Sequence, residues 1–231
     1  HAVVDEAARL VPPRSSDDDL FRLPIDRVFV MQGFGTVVTG TVASGRVKTG
    51  EDIELFSFQE TVPRRNQVRV RALQSHKQSV DVALAGQRVA VNLQGVRKED
   101  VARGDLLASA GVFEPAARMD VLLQATTPLP HPIRTLTQAT LHLRTYFSTA
   151  RILLHDRKEL GAGEEALATL VLERPAIGVW GDRFVLLGTT GYQRTIGGGR
   201  VLDPIAAKRR YRDKAVPLAL LTSSSASTTI A

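Results

Sequence analysis

The segment Phe21–Gly50 reads FRLPIDRVFVMQGFGTVVTGTVASGRVKTG. Of its 30 residues, 14 are β-branched or aromatic, and they come in runs of strand length, punctuated by Gly33-Phe34-Gly35 and by Ser44-Gly45. That spelling predicts a strand, a glycine-marked bend, a second strand and a further turn. Gly40 falls inside the second run, where a residue without a side chain permits a bulge or the close approach of another backbone.

The same texture continues outward from this segment. Strands are expected near Leu23–Met31, Thr36–Ala43, Asp52–Phe56, Asn66–Ser75, Gln87–Leu93 and Asp105–Leu107. A second series is expected near Met119–Ala125, Gln138–Leu143, Ala150–Leu154, Ala166–Glu173, Asp182–Leu187 and Gln193–Val201. Strands so closely spaced, with no helical periodicity between them, imply an all-β chain of antiparallel sandwiches or closed barrels. Ala108–Ala117, with Gly111 and Pro115, is the natural boundary. The expected architecture is two consecutive antiparallel β-barrels over residues 21–112 and 113–204. Residues 1–20 read as a short helix, Val3–Leu10, and a linker at Pro12-Pro13. Residues 205–231 read as a basic linker helix around Lys208–Lys214 followed by a loose Ser/Thr-rich tail.

Composition narrows the class. Of 231 residues, 43% are hydrophobic and 23% charged, which fits a globular protein rather than a disordered one. The absence of cysteine excludes disulfides, thiolate nucleophiles and cysteine-ligated metals. No apolar run reaches the ~18 residues of a membrane span, and the acidic start of the chain is unlike a secretory signal. The expectation is a soluble, cytoplasmic protein. The formal charge of +6 is uneven: −3 over residues 1–20, +4 over 21–112, +1 over 113–204 and +4 over 205–231. A basic surplus of this kind suits a polyanion such as RNA, and suits solvated surface charge equally well.

Catalytic signatures are missing. The sequence has no G-x-x-x-x-G-K-[ST] phosphate loop, no third glycine to complete a dinucleotide fingerprint at Gly33-Phe34-Gly35, and no G-x-S-x-G elbow. His1, His76, His131, His142 and His155 never stand two or four residues apart, so no metal site is expected. Gly197-Gly198-Gly199 suits a tight bend or close backbone approach better than an anion nest. In Gln87–Leu93 the alternation of Val89, Val91 and Leu93 points Arg88 outward, beside the small Ala90 and Asn92. Arg27 shares its face with Ile25, Phe29 and Met31, so it stands at a barrel mouth or is redirected by a bulge. Arg64, Arg65, Arg69 and Arg71 form a basic run with no intervening acid. It is either a phosphate-contacting edge or a solvated face that discourages edge pairing.

Gly33-Phe34-Gly35-Thr36-Val37-Val38-Thr39-Gly40 resembles the G-x-G-T-V-V-T-G stretch of translational GTPases related to elongation factor Tu. Arg22–Phe29, Val68–Arg71, Ala85–Leu93, Arg103-Gly104-Asp105 and Thr195–Pro204 are most similar to the selenocysteine-specific branch, the bacterial selenocysteine-specific elongation factors. Leu141–Thr149 departs from it by lacking a Gly-Thr pair, and Gln32 departs at a frequently basic position. The resemblance implies two translation-factor barrels, domains II and III, with 1–20 closing a GTPase domain and 205–231 leading to winged-helix domains. It implies delivery of selenocysteinyl-tRNA to the ribosome at recoded UGA codons, an mRNA hairpin read by the winged-helix domains, and a monomer. GTP and magnesium would belong to the GTPase domain, leaving these barrels without cofactor or catalysis. It also implies an aminoacyl pocket lined by Asp26, Arg27 and Arg88, with Arg64, Arg65, Arg69 and Arg71 available to tRNA. A cationic pocket suits this cargo, because a selenol is largely ionised near neutral pH whereas the serine of the precursor is neutral. An ordinary surface pair is the alternative reading of Asp26 and Arg27, and of Arg88 as well, and it ranks behind the pocket. Two other functions remain open: another translational GTPase carrying an ordinary aminoacyl- or initiator tRNA, and a β-barrel enzyme with an unrecognised site.

Overall fold

The structure is a computed structural model that describes residues 19–33, 35–155, 157–189 and 194–208. Among them there is one 3-10 turn, Lys98–Asp100, and no α-helix. The helices expected at Val3–Leu10 and Lys208–Lys214 lie outside the described residues, apart from Lys208 itself. The chain divides into two compact units. One holds the residues up to Ser57 and Arg65–Val112; the other holds Phe58–Arg64 and the chain from Phe113 onward.

The first unit contains β1 (Arg22–Met31), β2 (Gly35–Thr41), β3 (Arg46–Lys48), β4 (Asp52–Ser57), β5 (Arg64–Ser75), β6 (Gln78–Val80), β7 (Val82–Leu84), β8 (Arg88–Gln94) and β9 (Leu106–Ala108). Its sheet runs β4-β9-β1-β2-β8-β5, closes through a β4–β5 pairing, and carries β6 on β5. Closure leaves the ring strands no free edge. Alternation decides what fills it. Val28, Val38, Val91 and Leu73 lie in one register row across four strands, and Val38, Val91 and Leu73 are wholly buried.

The second unit is a closed barrel of β10 (Ala116–Ala125), β15 (Glu165–Ala176), β13 (Tyr146–Leu154), β12 (Gln138–Leu143), β16 (Arg183–Gly188) and β17 (Thr195–Asp203), with a small ribbon of β11 (Ile133–Arg134) and β14 (Glu159–Leu160). Met119, Val121, Leu123 and Ala125 alternate into its core. Gly197, Gly198 and Gly199 sit within β17, flanked by β10 on one side and β16 on the other. A Cβ built on Gly199 would stand 1.9 Å from the Leu122 carbonyl oxygen. The glycine run is therefore a close backbone approach, and it packs strands rather than cradling an anion.

The expected all-β pair of barrels is what the chain forms, with two instructive differences. β13 begins at Tyr146, four residues before the expected strand at Ala150, because the Tyr146 hydroxyl is anchored to the Arg174 and Pro175 carbonyls at 2.6 and 3.1 Å. The preceding turn uses Arg144 at φ 56°, a conformation that Gly or Asn usually announces. The ribbons β3–β7 and β11–β14 and the short β6 were not expected, since two or three residues carry too little alternation to register.

Candidate functional site on the first barrel

Asp26 and Arg27 lie on β1, Thr39 on β2 and Arg88 on β8, three neighbouring strands of the closed ring. Ile25 pairs with Gly40 and Arg27 with Thr39, so Asp26 is an extra residue with no ladder partner of its own. This is a β-bulge, and it answers the question the alternation leaves open for Arg27. Ile25 stays wholly buried, while Asp26 becomes half-buried and Arg27 exposed. Gly40 makes the bulge sterically possible. A Cβ there would stand 2.3 Å from the Pro24 carbonyl oxygen and 2.6 Å from Leu23 Cδ2.

The bulged carboxylate reaches across the sheet. Arg88 Nη1 donates to Asp26 Oδ2, and Arg88 Nη2 donates to Oδ1 at 3.1 Å. The Thr39 hydroxyl donates to the same Oδ1 at 2.7 Å. Burial pushes the Asp26 carboxyl upward, but hydrogen bonds from Arg88 and Thr39, with the charges of Arg88 and Arg27, outweigh it and hold the pKa below the usual carboxylate range. Asp26 is therefore ionised at neutral pH, and it raises the pKa of the Arg88 guanidinium through hydrogen bond and charge. The Arg88 side chain is 52% exposed and that of Asp26 23%. A fork–fork pair so placed fixes the guanidinium while leaving much of it facing solvent.

The expected face is only partly as open as the alternation implied. Ala90 is half-buried beside Thr39 and Gln74, its cross-strand partners. Asn92, whose small side chain was expected to leave the Arg88 guanidinium open, is itself 5% exposed. It pairs with Val37 and Ala72 in the middle of the sheet, where neighbouring side chains cover it. Thr39 is the residue sequence reasoning missed. Its signal was available, because strand alternation places it on the same outer face as the residues opposite it.

The arginine run on β5 separates in space. Arg64 pairs with Glu60, and Arg65 Nε sits 2.8 Å from Glu54 Oε1 with its guanidinium over the Phe56 ring. Arg69 lies 3.9 Å from Asp52. Arg71 makes no ion pair among the described residues. It is an exposed bulge residue, skipped between the Val70–Leu93 and Ala72–Asn92 pairs. Arg69 and Arg71 do share the face opposite buried Val68 and Val70. No group of three His, Cys, Asp or Glu side chains able to hold a metal occurs among the described residues.

Two family models match the chain in succession. The model described as elongation factor Tu domain 2 covers residues 35–108, and that described as selenocysteine-specific elongation factor, beta-barrel domain, covers residues 116–208. The chain is 37% identical over 212 residues to the selenocysteine-specific elongation factor of Desulfomicrobium baculatum, covering 92% of this chain and 32% of that protein. It is also 37% identical over 196 residues to the selenocysteine-specific elongation factor of Escherichia coli, covering 82% of this chain and 28% of the relative. The protein of the same name from Haemophilus influenzae is 34% identical over 196 residues, with 83% of this chain and 29% of that one covered. The chain belongs to the elongation factor Tu-like translation factors, on the selenocysteine-specific branch.

It spans about a third of the length of these relatives. Within the family frame, Arg88 and Thr39 fall inside the part matched by elongation factor Tu domain 2, whereas Asp26 and Arg27 lie before it. The bulge thus joins residues inside and outside the matched segment. The glycine run of β17 falls within the selenocysteine-specific barrel match. No helix among the described residues is long and apolar enough to cross a membrane.

Proposed function

We propose that these barrels belong to a cytoplasmic, monomeric factor that binds selenocysteinyl-tRNA and delivers it to the ribosome at recoded UGA codons in a GTP-dependent manner. Asp26, Arg27 and Arg88 form its aminoacyl pocket. The observation that carries this reading is the Arg88 guanidinium, clamped by a bulged carboxylate yet half-exposed, with Arg27 next in the chain. Two guanidinium groups against one carboxylate leave the site net positive, which favours a selenolate over a neutral serine hydroxyl. GTP and magnesium do not fit residues of these barrels, since the sequence has no phosphate loop. They would be held by a GTPase domain, and the recoding hairpin of the mRNA by winged-helix domains, both in other parts of the protein. The barrels themselves carry no catalytic role.

The direct test compares dissociation constants of the full-length protein for selenocysteinyl-, seryl- and cysteinyl-tRNA. Selenocysteinyl-tRNA should bind tightest, and seryl-tRNA weaker by about tenfold or more, the value of one charge-assisted hydrogen bond. Equal affinity for all three would favour the alternative cargo, an ordinary aminoacyl- or initiator tRNA.

RNA contact by the β5 arginines has its own signature. Each phosphate neutralised releases counterions, so binding should weaken steeply as salt rises. Arg71, exposed and without an ion pair among the described residues, is the leading candidate; Arg64, Arg65 and Arg69 each face an acid. Arg71→Ala should lower the slope of log affinity against log salt by about 1, equally for selenocysteinyl- and seryl-tRNA. An unchanged slope would remove Arg71 from the RNA interface.

A further inference from the structure

We infer that Thr39 is a positioning residue whose hydroxyl sets the Asp26 carboxylate in the orientation that holds Arg88 at the pocket. The inference rests on the aminoacyl-pocket reading above and extends it to a residue that does not itself face the cargo as a charge.

The bulge creates the need. Asp26 is the extra residue between two ladder pairs, so no cross-strand partner constrains its backbone. Its ionic partner is a long arginine on a different strand, with a half-exposed side chain. Two side chains that hold only one another lose rotamer entropy in doing so, and such surface pairs are weakly ordered. Thr39 supplies what the pair lacks. It sits in β2, with Arg27 of β1 as ladder partner on one side and Ala90 of β8 on the other. Its β-branched side chain is stiff about χ1. The hydroxyl is therefore a short donor fixed to the ladder, and it meets Asp26 Oδ1 at 2.7 Å.

The division of acceptors fits this role. Oδ1 accepts both the Thr39 hydroxyl and Arg88 Nη2, while Oδ2 accepts Arg88 Nη1. With Oδ1 pinned, the carboxylate plane has one orientation in which both arms of the guanidinium are satisfied. A hydroxyl does this without charge. A cation at position 39 would compete with Arg88 for Asp26, and an anion would cancel the positive surplus that attracts an anionic cargo.

The test measures dissociation constants for selenocysteinyl- and seryl-tRNA in the full-length protein, for Thr39→Val, Thr39→Ser, Arg88→Ala and the Thr39→Val/Arg88→Ala double variant. Thr39→Val, close in shape but without the donor, should reduce the preference for the selenocysteinyl form by about three- to tenfold, part of the value of a charged hydrogen bond. Thr39→Ser, which keeps the hydroxyl, should stay within about twofold. In the double variant, loss of the hydroxyl should add nothing to the loss of Arg88, since the one acts through the other. If Thr39→Val proves unstable, Thr39→Ala removes the same hydroxyl and is read in the same way. An unchanged preference in Thr39→Val, alongside a lowered one in Arg88→Ala, overturns the positioning role and leaves the pocket standing. An unchanged preference in Arg88→Ala overturns both.

Discussion

Arg88→Ala in the full-length protein should weaken selenocysteinyl-tRNA binding by about ten- to 150-fold, the range of a charge-assisted hydrogen bond of about 1.5–3 kcal/mol. Seryl-tRNA, whose side chain carries no charge, should bind almost as before. The reason lies in the geometry: Arg88 is held by Asp26 from one side only, and its 52% exposed side chain is the cationic face of the site. Arg27→Ala should act in the same direction. Asp26→Asn should give a smaller loss, because the amide can still accept one hydrogen bond but no longer clamps both arms of the guanidinium. Equal losses for the selenocysteinyl and seryl forms would show that these residues grip the tRNA backbone or the barrel instead, and the pocket assignment would fall.

The largest effect on stability is expected at Gly199. Alanine there would bring its Cβ to 1.9 Å from the Leu122 carbonyl oxygen, 2.9 Å from the Leu122 carbonyl carbon and 3.2 Å from Phe184 Cζ. Two of these atoms are backbone of β10, so relief requires separating β10 from β17 in a closed ring. Overpacking alone costs about 1–3 kcal/mol, and a backbone clash belongs at or above the top of that range. Against a typical domain stability of about 5–15 kcal/mol, the melting transition of the second barrel should fall by roughly 10–20 °C. Gly178→Ala is the control, since its Cβ would meet the flexible end of Met119, with Cε at 3.3 Å. Its transition should move far less. Equal transitions for Gly199→Ala and the unsubstituted chain would mean that β17 does not run against β10 in this register.

Both barrels were legible in the sequence because their long strands alternate over six residues or more with glycine-marked turns between them. Gln138–Leu143 matches its expected bounds residue for residue. The β12–β13 hairpin was harder to read, because its turn is Arg144-Thr145 and its first strand residue, Tyr146, is anchored through its own hydroxyl to the Arg174 and Pro175 carbonyls of β15, far along the sequence. At the candidate site, the outward direction of Arg88 followed from Val89 and Val91. The place of Arg27 did not, because a bulge shifts the phase by one residue, and only the pairing of Ile25 with Gly40 reveals the shift. The arginine run misled in the opposite way. Its acids are absent from the run itself: Glu60 stands four residues before Arg64, and Glu54 and Asp52 arrive by folding. Adjacency in sequence overstated its free charge.

The extra residue at Asp26 has a consequence for how such a protein can be redesigned. One inserted position puts an acid–base vocabulary on the outer face of the sheet while Ile25, wholly buried, keeps its place in the interior. On the proposed reading, recognition and architecture are thereby written in separate alphabets on the same strand. If these residues line the proposed pocket, positions 26, 27 and 88 are the ones to respell for another amino acid that carries negative charge, such as a phosphorylated or sulfated side chain, leaving the hydrophobic sentence that makes the barrel fold as it is. A translation factor built this way is retargeted at its surface letters.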